Sequence, residues 1–321
     1  MKADLSVVVL TCNEERNLPA CLESVAGWAA QIFIVDSGST DGTLAIAERF
    51  AARVVSHPFE SHARQWQWAL STLPLGRWVL ALDADQSLTP ELREDITRKV
   101  TAWTGPDSPA GAYLNRRQIF RGRWIRHGGY YPKYLLKLFR SAAVSVDESD
   151  LVDHHFAVDG ATVLLDGDLI EDNRNEAAIS VWIDKHNRYA ALQAREEQAR
   201  WGGADGRAPA GRVFGSPDER ASWQKRLWNR LPLYVRPFGY FVYRYVIRLG
   251  FLDGKEGFIF HFMQACWYRL LVDINRDELR KRASEQARSA EPAQTGPHST
   301  TGLAAERGTP APATTRTAVP R

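Results

Sequence analysis

The stretch Arg77-Trp-Val-Leu-Ala-Leu-Asp-Ala-Asp-Gln-Ser-Leu-Thr89 constrains the fold of this chain most. In it five apolar residues, Trp78 to Leu82, run unbroken and stop at Asp83 and Asp85. An apolar run this short reads as a strand buried on both faces, as in a parallel sheet. Thr89-Pro90-Glu91 reads as an N-cap followed by proline in the first helical turn. The carboxylates therefore stand at the C-terminal end of a buried strand, the edge at which open α/β sheets bind ligands. Two carboxylates at i and i+2 can share one hard cation that bridges to phosphate oxygens. The alternative is that Asp83 and Asp85 end a strand and solvate a turn; Asp-x-Asp alone does not choose between the two.

The residues before this stretch repeat its logic. Leu5 to Thr11 is a β-branched run, Ile32 to Asp36 a second strand ending in a carboxylate, and Arg53 to Ser56 a short third. Helices are expected from Asn17-Leu18-Pro19, over Thr43–Ala51 and over His62–Leu73. Strands alternating with helical segments mean βαβ units and a parallel sheet. Parallel strands then bring three polar clusters to one edge: Thr11-Cys12-Asn13, Asp36-Ser-Gly-Ser-Thr-Asp41 and Asp83-Ala-Asp85. Turn formation and helix capping are the simpler roles for Asp36 and Asp41, and neither excludes ligand binding.

Ser6-Val-Val-Val-Leu-Thr-Cys-Asn-Glu-Glu15, Val35-Asp-Ser-Gly-Ser-Thr-Asp-Gly-Thr43 and Leu82-Asp-Ala-Asp85 resemble the inverting family 2 glycosyltransferases of GT-A fold. The chain is most similar to their lipopolysaccharide-core glucosyltransferase-like branch, well over Leu5–Ala157 and more loosely beyond. The resemblance implies an α/β GT-A (Rossmann-like), mostly parallel sheet flanked by helices. It places the nucleotide of a nucleotide-sugar donor against Thr11, Asn13, Glu14, Asp36, Ser37, Asp41, Arg64, Asp83 and Ala84. Within that set Asp36 meets the base and Asp83 the ribose, while Asp85 holds Mg²⁺ or Mn²⁺ against the diphosphate. A divalent cation suits this chemistry because a departing nucleoside diphosphate carries negative charge. One departure lies in Arg64-Gln65-Trp66-Gln67-Trp68, where many members carry an Arg-Asn pair. Trp66 and Trp68 are expected in the core, with a stacking wall as the alternative.

An inverting transfer also needs a base opposite the leaving group. Related enzymes resemble Val-His-Glu-x where this chain reads Leu151-Val-Asp-His154. Asp153 is the expected base, with His154, Asp150 and Glu148 as alternatives, and it should face Asp85 across the cleft. Before it, Gly128-Gly-Tyr-Tyr-Pro-Lys133 forms a glycine-hinged aromatic loop that closes over the sugar in similar enzymes. His127, Lys133 and Arg140 are candidates to neutralise phosphate.

Residues 1–175 thus read as the nucleotide-sugar-binding and catalytic domain, 176–283 as a helical acceptor or membrane-interface region, and 284–321 as a disordered tail rich in Ala, Pro, Thr and Ser. Ala178 to Arg200 is a long helix, and Phe258 to Val272 a further apolar one. Arg220 to Gly250 carries seven basic residues and no acidic ones, interleaved with aromatics. Arg236, Arg244 and Arg248 interrupt the apolar run, which disfavours a transmembrane helix and suits one lying on an anionic membrane surface. Packing on the catalytic domain or in a homodimer is the alternative. The formal charge of +3 does not argue for nucleic acid. Three irregularly spaced cysteines suggest neither a disulfide framework nor a zinc site, and the short N-terminal apolar run is no signal peptide. The expected location is cytoplasmic, peripheral on the inner face of the membrane, with a lipid-linked or lipopolysaccharide-type acceptor. Two competing readings are a haloacid dehalogenase-type phosphohydrolase, with Gly167-Asp-Leu-Ile-Glu-Asp172 as its later acidic motif, and a non-catalytic nucleotide-sugar-binding protein.

Overall fold

Trp78 to Leu82 is a strand buried on both faces, as its composition predicts. In the computed structural model, which describes residues 3–146, 155–201, 219–220, 223 and 231–290, it is the strand β4 (Trp78–Asp83). Trp78, Leu80 and Leu82 enter one apolar core while Val79 and Ala81 enter another on the opposite face. Alternation of side chains along a strand makes this division. The first core is closed by α1 (Leu18–Val25), α2 (Thr43–Arg49) and α4 (Pro90–Ala102). The second is closed by α3 (His62–Thr72).

The strands around β4 are β1 (Ala3–Thr11), β2 (Ala29–Asp36) and β3 (Arg53–Ser56). β1 pairs in parallel with both β2 and β4, and β2 with β3. Beyond β4 the sheet becomes mixed. β5 (Gln86–Leu88), β6 (Gly111–Phe120), β8 (Tyr134–Arg140) and β11 (Thr162–Glu171) complete the order β3-β2-β1-β4-β8-β6-β11-β5. β7 (Arg123–Ile125) pairs with β6 as a hairpin across Arg121-Gly122, both at positive φ. A small ribbon pairs β9 (Val144–Val146) with β10 (Phe156–Val158). Asp153 and His154, with Asp150 and Glu148, belong to the segment between these two strands and lie outside the described residues.

Thr89 caps α4 as read from the sequence, accepting from the Leu92 amide with Pro90 at the first helical turn. The same hydroxyl accepts from the Asp168 amide at 3.2 Å, so the cap also ties α4 to β11. Gly167 allows this approach: its φ is +87°, and a Cβ there would lie 2.4 Å from the Leu92 nitrogen.

Residues 1–281 form one compact unit, and Arg282–Arg321 a second. The C-terminal part of the first contains α5 (Ile179–Trp201), α6 (Arg236–Val242), α7 (Gly254–His261) and the start of α8 (Tyr268–Ala290). Two π-helical stretches, Tyr243–Ile247 and Phe262–Trp267, follow α6 and α7. α8 runs past the expected start of the tail at Ser284, since Arg280 to Ala290 is rich in good helix formers; residues 291–321 lie outside the described ones. Among the described residues no helix is long and apolar enough to cross a membrane.

Two of the arginines expected at a surface turn inward. Arg236 is 1% exposed and its Nε donates to both carboxylate oxygens of Asp273 at 2.9 and 3.0 Å. Glu197 joins this buried cluster through Arg276 at 2.8 Å and Arg269 at 3.1 Å, locking α5, α6 and α8 together. Arg244 donates to the Gly128 carbonyl at 2.7 Å and lies 4.0 Å over the Tyr130 ring. Their charges meet protein partners that a local reading of the sequence does not reveal.

Candidate active site

Register puts the three polar clusters level. Thr11 pairs with Asp36, and Leu10 with Asp83, so the ends of β1, β2 and β4 share one edge. Beyond them β5 pairs with β11, aligning Gln86 with Glu171. The Asp172 amide then donates to the Asp85 carbonyl at 3.0 Å. This pairing brings a third acidic pair, Glu171-Asp172, beside Asp85.

Asp36 is buried, and each carboxylate oxygen already accepts two hydrogen bonds. Oδ1 accepts from Thr11 Oγ1 at 2.9 Å and Ser39 Oγ at 2.5 Å; Oδ2 accepts from the Gly38 and Ser39 amides at 2.9 and 2.8 Å. Burial would raise its pKa, but these donors outweigh that and hold it below the ordinary carboxylate value. Asp36 thereby builds the loop on which a ligand would rest. Asp41 does the same, accepting from the Thr43 amide at 3.0 Å and the Glu15 amide at 3.1 Å. Asn13, at φ +58°, accepts from the Thr40 amide at 2.8 Å and donates its own amide to Ser39 Oγ at 2.8 Å. The Glu14 amide donates to Thr43 Oγ1 at 2.8 Å. Ser37 Oγ accepts from Gln65 Nε2 at 3.0 Å, and Gln65 also meets His57. Arg64 instead faces solvent in an ion pair with Glu60. Of the neighbouring pair, the polar contact to the loop thus comes from Gln65. Trp66 is core, edge-on to Phe156 at 5.2 Å, and Trp68 stacks on His57 at 4.2 Å.

Asp83 and Asp85 have different surroundings. Asp83 Oδ2 accepts from the buried Lys137 at 2.9 Å. Asp85 lines a cleft of about 700 Å³ together with Glu171, Asp172, Glu176 and Lys185. Burial first, then the charges of Glu171 and Asp83, push its pKa well above the ordinary carboxylate range, with Lys185 opposing. Glu171 is itself fixed by Gln86 at 2.9 Å and Arg116 at 3.0 Å. Lys185 pairs with Glu176 at 2.5 Å. Ala84 is buried between the two aspartates.

Among the described residues no three side chains converge as a ready-made metal cage. The surplus of hard carboxylate oxygen at Asp85 and Glu171 nevertheless fits Mg²⁺ or Mn²⁺, ions bound through one or two carboxylates with phosphate completing the sphere. The phosphohydrolase alternative does not fit. Asp168 is consumed by Asn115 at 2.7 Å, Arg117 Nε at 2.6 Å and Tyr131 at 3.1 Å.

Sequence reasoning missed Glu171, Lys137 and the Asn17–Asn173 contact. Asn17 donates to Glu14 at 2.7 Å and to Asn173 at 3.2 Å, tying the first loop to the end of β11. The signal for Glu171 was present: Thr162 to Leu165 is another apolar-rich run leading to carboxylates.

Comparison with known proteins agrees with this geometry. The description Glycosyl transferase family 2 matches residues 6–145. The lipopolysaccharide core biosynthesis glycosyltransferase LpsC of Rhizobium meliloti is 30% identical over 213 residues, covering 61% of this chain and 72% of LpsC. An uncharacterised glycosyltransferase of Rickettsia conorii is 38% identical over 92 residues, 29% of this chain and 32% of that relative's own length. Residues 1–349 of TarS from S. aureus superpose loosely, with a TM-score of 0.42 and 15% identity over 89% of this chain and 92% of that one. On the level carboxylate-bearing strand ends, the match over residues 6–145 and the identity to LpsC, the chain belongs to glycosyl transferase family 2.

Proposed function

We propose that this protein transfers a sugar, with inversion, from a nucleotide sugar (UDP the expected nucleotide) to a lipid-linked or lipopolysaccharide-type acceptor. The carrying observation is Asp85, a carboxylate in like-charged company at the strand edge where the loops of Asp36 and Asn13 converge. The name of LpsC supports the acceptor class.

The Asp36–Asp41 loop, stiffened by its own hydrogen bonds, cradles the nucleoside. Asp83, neutralised by Lys137, meets the ribose. Asp85, seconded by Glu171, would hold Mg²⁺ or Mn²⁺, which when bound offsets the charge of the departing diphosphate. Asp153 takes the proton of the acceptor hydroxyl; His154 is the alternative. Residues 1–175 form the catalytic part, 176–283 the acceptor and membrane side.

An anionic membrane surface is the proposed partner of the C-terminal helices. Phe238, Val242, Val246, Ile247, Leu249 and Leu252 are exposed, with Arg248 and Lys255 exposed among them. Exposed apolar and basic side chains within one stretch of sequence suit an interfacial segment. Nucleotide release from a UDP-, GDP- and dTDP-sugar panel with Mn²⁺ tests the reading. One donor should release nucleotide in a metal-dependent way; a protein that binds a donor but never turns it over is the non-catalytic alternative.

A further inference from the structure

The cleft at Asp85 has a second wall of different character. α5 contributes Trp182, His186 and Tyr189, and the helical stretch Gly254–Trp267 contributes Phe260 and Gln264. The His186 ring stacks on Trp182 at 3.5 Å and 16°. Its Nδ1 lies 2.9 Å from the Trp182 carbonyl and therefore carries the proton. Its Nε2 is then the acceptor and meets Gln264 Nε2 at 3.1 Å. This end of the cleft is thus aromatic, with neutral hydrogen-bonding groups, while the other end is acidic. Aromatic faces and fixed amides suit the apolar C–H face and the hydroxyls of a sugar ring.

The same stretch shows its opposite face to the outside. Phe260 is 3% exposed, whereas Phe258 and Phe262 are 47% and 41% exposed and stack on each other at 6.1 Å. Positions 258 and 262 share one helical face, and 260 and 264 the other. A surface helix ordinarily turns a polar face outward; this one is aromatic on both. On that face Phe241 packs edge-on against Phe258 and Phe262 at 6.2 and 5.8 Å, and Tyr245 against Phe258 at 5.5 Å, while Val242, Val246, Leu252 and Lys255, their neighbours in sequence, are exposed. One helix, about 10 Å across, therefore separates the cleft from that surface.

We propose that the acceptor is an amphiphile that straddles this helical wall: its saccharide end lies in the cleft against His186, Gln264 and Phe260, and its apolar anchor stays in the lipid surface against Phe258 and Phe262. The inference rests on the transferase reading above. It commits the outer face to a lipid surface holding the acceptor, because basic residues stand among the exposed apolar ones.

The test compares core-truncated lipopolysaccharide in vesicles with the same material after removal of its acyl chains, following nucleotide release. The wild type should show a KM at least ten-fold lower for the acylated form. Phe258→Ser with Phe262→Ser should collapse that ratio toward one, and Lys255→Glu should move it the same way. Gln264→Ala should raise both KM values about ten-fold and keep the ratio. A wild-type ratio near one, a ratio untouched by the surface variants, or donor turnover with transfer to neither acceptor overturns the proposal. Absence of nucleotide release from every donor, with or without acceptor, overturns the transferase reading instead.

Discussion

Lys137 Nζ lies 2.9 Å from Asp83 Oδ2, whereas Asp85, two residues along, faces the charges of Glu171 and Asp83. The same Asp-Ala-Asp thus contains one neutralised carboxylate and one under electrostatic pressure. That difference has a measurable consequence for stability. The folded-state pKa of Asp85 is raised, so folding favours its protonated form. Stability is fully present below the ordinary aspartate value of ~4 and is lost as pH rises toward the raised folded value. Asp85→Asn should therefore stabilise the chelator-treated protein at neutral pH, with no gain near pH 4. Denaturant melts across that range check it; a variant less stable than the wild type at neutral pH would contradict the assignment.

Asp36 should act through the loop it organises. Asp36→Ala removes the acceptor of four hydrogen bonds and leaves the Gly38 and Ser39 amides without it. Nucleotide affinity should fall by about ten-fold or more, since an unmet buried donor costs roughly 1–3 kcal/mol. Calorimetry that finds equal UDP affinity in the variant removes Asp36 from the site.

The C-terminal helices should depend on the buried pair Arg236–Asp273. Asp273→Ala leaves a guanidinium that is 1% exposed without its two-oxygen partner. A loss of about 3–5 kcal/mol is expected, read as an earlier unfolding midpoint. A change below 1 kcal/mol would mean that Glu197, 3.6 Å away, suffices.

Gly128 is a further stability test, on the loop that packs against Arg244, Arg248 and His261. Its φ is +68° and a Cβ would lie 2.0 Å from His261 Cε1. Gly128→Ala should destabilise by about 3 kcal/mol through strain and overpacking. Thermal unfolding indistinguishable from wild type would show that His261 can move aside.

The contrast between local and tertiary information explains what was legible in the sequence. Trp78 to Leu82, the Thr89 cap and the alternation of strand and helix are local patterns, and each folds as read. The level edge of Thr11, Asp36 and Asp83 followed from parallel pairing alone. The run Thr162 to Leu165 marks a strand leading to Glu171, but the place of Glu171 beside Asp85 depends on a β5–β11 register spanning 85 residues. Lys137 required knowing that β8 runs antiparallel beside β4. Arg236 and Arg244 looked like surface charges because charged residues are rarely buried unless paired, and their partners, Asp273 and the Gly128 carbonyl, are distant in sequence.

The base is tested by Asp153→Asn, which keeps the side-chain shape and removes its basicity. Transfer should fall by ~10²-fold or more with little change in donor affinity. His154→Ala should do less. The reverse order, with activity titrating near ~6.5, would make the imidazole the base.

Calorimetric titration of UDP in the presence of Mn²⁺, on the wild type and on Asp85→Ala, tests the central assignment most directly. Wild-type binding should weaken by ~10²-fold when the metal is chelated, a difference of about 3 kcal/mol. Asp85→Ala should bind as weakly with Mn²⁺ as the wild type does without it. Equal affinity in all three titrations would contradict the metal site at Asp85.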